Sequence, residues 1–88
     1  MPDEQPLEAS DLRRLKWRCR RGLLENDLFV QRFFRRFEHE LSVRQGKALT
    51  ELMNLADNDL LDLLLGRSVP EGALDVPAVH QVLHMLRS

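Results

Sequence analysis

Apolar residues along this chain recur at intervals of three and four, the spacing that lines one side of an α-helix. Nowhere do they alternate long enough to make a strand. The first pattern is Leu12, Leu15 and Cys19, a narrow stripe that predicts a helix over about 11–21, capped by Ser10 or Asp11. Trp17 falls off that stripe and hints at a second contact surface. Gly22 is expected to end the helix, because only glycine takes a left-handed conformation after the last turn without a Cβ penalty. A second helix over about 24–41 places Leu24, Leu28, Val30, Phe33, Phe34, Phe37 and Leu41 on its apolar side, with Phe29 at the margin. It carries most of the aromatic mass and is expected to be the central helix of the core.

Ser42 and Gln45 have the spacing of a capping box. They open a third helix, about 43–55, that turns Leu49, Leu52, Met53 and Ala56 inward. Asp57 or Asn58 is expected to cap a short fourth helix with Leu60, Leu61, Leu64 and Leu65, closed by Gly66. Arg67–Gly72 is a turn-rich connection. Asp75 with Pro77 then opens a fifth helix bearing Val76, Val79, Leu83 and Leu86. The expected architecture is all-α, a small five-helix bundle with short loops. Residues 1–9, with two prolines and three acids, are assigned to a flexible N-terminal tail, and 10–88 to a single helical-bundle domain.

A chain of 88 residues buries only about 60% of the surface its unfolded form exposes, so stability at the low end of about 5–15 kcal/mol is expected. No apolar run approaches the roughly 20 residues a membrane crossing needs, so no membrane insertion is expected. The acidic start, MPDEQPLEAS, has neither the apolar core of a secretory signal nor the arginines of a transit peptide. The single cysteine fits a reducing compartment, and a cytoplasmic location is expected. Net charge is −1 but unevenly spread. Nine basic residues lie between Leu12 and Arg36 against only Glu25 and Asp27, while Ala48–Asp75 carries six acids against one arginine. Such polarity suits an electrostatically steered encounter with a charged partner.

Little in the chain points to catalysis. Phosphate loops, zinc-protease motifs and nucleophile elbows are missing from the sequence. Glu25 and Asp27 are two residues apart on one helix and so point to different sides, which prevents them sharing a substrate proton. His80 and His84, four apart, share a helix face, yet no third ligand stands nearby and no metal site is assigned. Cys19 lies on an apolar stripe and reads as a buried, inert thiol. Arg21 and Glu25 have the spacing of an exposed ion pair across the helix break, worth about 0.3–0.5 kcal/mol. The basic first helix could contact phosphates, with Trp17 as a stacking platform. Slight overall acidity and a lone interleaved aromatic argue against nucleic acid as the partner. A regulatory binding protein, antitoxin-like or bound to nucleic acid through that helix, is the alternative class.

The run Trp17-Arg18-Cys19-Arg20-Arg21-Gly22-Leu23-Leu24-Glu25-Asn26-Asp27 resembles the signature of the SdhE-type assembly factors, small proteins that promote flavinylation of succinate dehydrogenase. The family's R-G-x-x-E core is met by Arg21, Gly22 and Glu25. The aromatic pair Phe33-Phe34, the Leu41-Ser42 helix start and the Asp57, Asp59, Leu60 segment also match. The resemblance spans roughly Leu12 to Gly66, with Leu63 standing where many members carry tryptophan. It implies a helical bundle with no catalytic site of its own that binds the flavoprotein subunit of succinate dehydrogenase, or in some bacteria that of fumarate reductase. There it promotes covalent attachment of FAD to a histidine of that subunit. FAD on this reading belongs to the client and is not stably held by the factor, which is a monomer or weak dimer. Partner-binding roles are expected for Trp17, Arg18, Arg20, Arg21, Gly22, Glu25 and Asp27. Gly22 would admit a foreign backbone, Arg21 would grip a carboxylate or carbonyls bidentately, and Trp17 would be an apolar anchor.

Overall fold

Ser42 shows how closely local sequence dictates this fold. Its hydroxyl accepts a hydrogen bond from the backbone N–H of Gln45 at 3.1 Å, and Gln45 Oε1 accepts one from the Ser42 N–H at 3.0 Å. Both donors would otherwise be orphaned at a helix start, so the third helix begins where the capping box predicts. The computed structural model describes residues 4–20 and 24–88. It contains α1 (Ala9–Arg18), α2 (Leu24–Phe37), α3 (Val43–Met53), α4 (Asp57–Leu64) and α5 (Pro77–Arg87), with a 3-10 turn at Gly72–Leu74 before α5. The protein is an all-α five-helix bundle with short loops, and no named strand occurs among the described residues.

α2 and α3 start where the sequence places them, while both ends of α1 and the far ends of α2 and α3 depart from expectation by two to four residues. α1 starts at Ala9, after Glu8, so Ser10 and Asp11 lie inside the first turn and cap nothing. It stops with Cys19 as its last capping position, whose N–H reaches Leu15 O, three residues short of Gly22. The proposed conformation of Gly22 itself lies outside the described residues. α2 ends at Phe37, four residues early, and Leu41 is buried from the loop that follows. α4 is preceded by Ala56 without a side-chain cap; Ala56, expected inward, is exposed. At the other end of α4 the expectation holds. Gly66 has φ +77°, its N–H bonds Leu63 O at 3.2 Å, and the Arg67 N–H bonds Asp62 O at 2.8 Å. These two bonds form a left-handed helix terminus that glycine accommodates without strain.

α5 packs mainly on α3, α2 packs on α4 and α5, and α1 packs on α3. Their shared interior holds Phe33, Leu49, Leu52, Leu60, Val79, Val82 and Leu86, all nearly sealed from solvent. Phe33 meets Phe34 edge-on at 5.3 Å and lies 5.7 Å from Phe37. Arg87 donates from Nε at 3.1 Å, and also from Nη2, to the Leu63 carbonyl, which ties α5 to the end of α4. Ahead of α1, Leu7 N–H bonds Leu41 O at 2.9 Å and Val43 N–H bonds Gln5 O at 2.8 Å, so part of the segment assigned to the tail lies along the start of α3.

Two inversions on α2 matter most for function. Leu24 and Leu28, expected in the core, are 66% and 57% exposed, while Asn26 between them is fully buried. At about 100° per residue, both leucines lie roughly 150° from the mean direction of Val30, Phe33, Phe34 and Phe37, and Asn26 lies on the core side. Asn26 Nδ2 donates to the Asp57 carbonyl at 2.9 Å and thereby joins α2 to the first turn of α4. Its Oδ1 is buried without a hydrogen-bond partner among the described residues.

Candidate partner-docking site

α1 is too polar to bury more than one edge. Leu15 and Cys19 go inward with Leu12 half-buried, and every other side chain from Arg13 to Arg20 faces solvent. Trp17 is 70% exposed, and the Arg20 guanidinium stacks 5.0 Å from the centre of its ring. An exposed pair of this kind contributes about 0.5–1 kcal/mol. It also holds a large flat apolar surface in a defined place beside a fixed positive charge.

Between α1 and α2 runs an open groove of about 820 Å³. Cys19, Val30 and Phe34 form its apolar floor, and Arg13, Lys16, Trp17 and Arg20 come from α1. Asp27, Gln31, Arg35 and Glu38 line it from the α2 side. Lys16 Nζ donates to Glu38 Oε2 at 2.7 Å and lies 5.9 Å from the Phe34 ring centre, closing one end. The lysine's hydrogen bond, helped by its positive charge, holds the Glu38 carboxyl below its ordinary range. With that acid paired, the surplus charge of the groove is positive.

The expected partner-binding residues do not all meet. Trp17, Arg20 and Asp27 line the groove together. Glu25 is exposed in the first turn of α2, where the helix dipole favours a carboxylate. Arg18 points around α1 to smaller clefts shared with Leu15 and Thr50 on the α3 side. Arg21 and Gly22 lie outside the described residues. Sequence reasoning missed Lys16, Arg35 and Glu38 as groove residues, and Leu24 and Leu28 as surface. The helical phase of the two leucines carried the signal.

The Cys19 side chain is fully buried. Among the described residues no group of three His, Cys, Asp or Glu is arranged to hold a metal. His80 Nε2 instead meets Asp75 Oδ1 at 2.8 Å, across the start of α5. No helix among the described residues is long and apolar enough to cross a membrane.

This small helical bundle presents a basic groove with an exposed tryptophan beside it, residue types that are enriched at protein interfaces. The comparisons give the family. The profile described as "Flavinator of succinate dehydrogenase" matches residues 13–88. A protein of Ralstonia nicotianae named "FAD assembly factor SdhE" is 64% identical over 75 residues, covering 85% of this chain and 79% of that protein. Proteins of the same name from Legionella pneumophila and Coxiella burnetii are 41% and 33% identical over 61 residues. Each of these matches covers 69% of this chain, with 77% and 74% of the respective relative. The chain belongs to the family of succinate dehydrogenase flavinators. No solved structure matches it.

Proposed function

We propose that this protein binds the flavoprotein subunit of succinate dehydrogenase and promotes covalent attachment of FAD to it, having no catalytic site of its own. Family membership over residues 13–88 carries the reading. The groove that gathers Trp17, Arg20 and Asp27 supports it, since it offers a partner an apolar anchor, a cation and an acceptor in one place. Glu25 stands exposed in the first turn of α2, pointing to a different side from the groove-lining Asp27, and Arg21 and Gly22 complete the motif in sequence. Arg18, at the end of α1, lines a separate cleft with Thr50 and Met53 of α3. FAD belongs to the client. The factor holds the flavoprotein in a conformation in which the client's own residues complete the bond. It acts in the cytoplasm as a monomer or weak dimer, and the flavoprotein subunit of fumarate reductase is a second client of the same kind.

Flavoprotein subunit purified without covalent flavin, incubated with FAD, should acquire in-gel flavin fluorescence faster when the factor is added. Glu25→Ala, and Gly22 replaced by a bulky residue, should each abolish most of that acceleration. Full acceleration by both variants would overturn the assignment of the motif. No acceleration by the natural chain would overturn the function.

A further inference from the structure

We infer that the outward stripe of α2, Leu24, Leu28 and Arg35, continues the docking groove and receives an acidic, apolar-bearing segment of the client flavoprotein. This rests on the function proposed above and adds to it a surface outside the arginine–glycine–glutamate motif.

A single exposed leucine is ordinary. Here two lie one turn apart, 66% and 57% exposed, on a helix that buries Val30, Phe33 and Phe34. Helical spacing places Arg35 on the same face, eleven residues beyond Leu24. Arg35 also lines the groove, so the leucine stripe and the groove share a rim. Trp17, the other large exposed apolar side chain nearby, stands on the opposite wall. Together they give an apolar track wide enough to be read by side chains from a partner, the arrangement in which a few large residues dominate binding.

Charge decides what kind of segment fits. Arg13, Arg20, Arg32 and Arg35 have no acidic partner among the described residues. Arg20 and Arg32 rest instead against the Trp17 and Phe29 rings, at 5.0 and 5.4 Å. Glu38, one of the two acids in the groove, is taken by Lys16. An acidic partner segment would find Arg13 and Arg35 in the groove with no acidic partner among the described residues, which would speed its encounter and set its register.

The test measures affinity of the purified chain for FAD-free flavoprotein subunit at low and physiological salt, with melting temperature and sedimentation recorded for each variant. Leu24→Ser with Leu28→Ser should weaken binding by about tenfold or more while leaving the melting temperature nearly unchanged. Arg35→Glu should weaken binding and flatten its salt dependence. The inference is overturned if the double variant binds as tightly as the natural chain, or if it melts well below it. It is equally overturned if the natural chain sediments as a dimer that the double variant dissolves, since a second copy would then cover the stripe. Binding by the natural chain with no loss in the variants refutes this inference alone. Absence of binding by the natural chain removes the proposed function and this inference with it.

Discussion

Replacing Asn26 by leucine should make the protein more stable, although it removes a hydrogen bond between two helices. Asn26 is fully buried, donates one bond from Nδ2 to the Asp57 carbonyl, and leaves Oδ1 without a partner among the described residues. A made intramolecular bond is worth about 0.5–1.5 kcal/mol net, whereas a buried unsatisfied acceptor costs about 1–3 kcal/mol. Leucine has the same branching, so it removes both groups and adds apolar contact of about 0.8 kcal/mol per buried carbon. Its methyl groups are larger than the amide atoms, and crowding returns about 1 kcal/mol of that gain. The balance is a stabilisation of roughly 1–2 kcal/mol, or a rise in melting temperature of about 4–15 °C for a domain of this size. Asn26→Ala should go the other way, because it loses the bond and opens a cavity. Asn26→Asp should be worse still, since it places a carboxylate at a fully buried position. Thermal and urea unfolding followed by circular dichroism would read all three. A lower melting temperature for the leucine variant would show that the Nδ2 bond outweighs the orphaned oxygen, and would refute the reasoning.

Two further predictions concern local devices. Ser42→Ala removes the cap that accepts from the Gln45 N–H. It should cost about 1 kcal/mol in urea unfolding, with Ser42→Gly costing less than Ala. An undiminished midpoint would mean that water replaces the serine. Because Lys16 holds the Glu38 carboxyl below its ordinary value of 4.5, their pair contributes stability that is full above that pH. The contribution disappears as the pH falls through the depressed folded value. NMR titration should therefore find Glu38 protonating at lower pH than an ordinary glutamate, and Lys16→Gln should bring it back up; an unchanged midpoint in that variant would exclude the lysine as the cause.

The candidate site was legible where one residue carried the signal and illegible where a neighbouring helix decided it. Trp17 sits off the stripe of Leu12, Leu15 and Cys19 in the sequence, and it stands in solvent in the fold. Asp27 and Arg20 were named from the motif, and the fold brings both to the groove with Trp17. Arg18 was named with them, but α1 rotates it to the other side. Lys16 and Glu38 are 22 residues apart, so nothing local announces that they close one end of the same groove.

What the sequence alone determined is everything settled within a turn or two of chain. The cap at Ser42, the left-handed stop at Gly66 and proline in the first turn of α5 each rest on hydrogen bonds or steric limits between close neighbours. Tertiary structure decided which side of α2 became interior. Helical phase set the leucines apart from the phenylalanines, and the packing of α4 and α5 on α2 made the phenylalanine side the interior. Burying Phe33 and Phe34 outweighed burying Leu24 and Leu28, which left two leucines in water and one amide oxygen in the core.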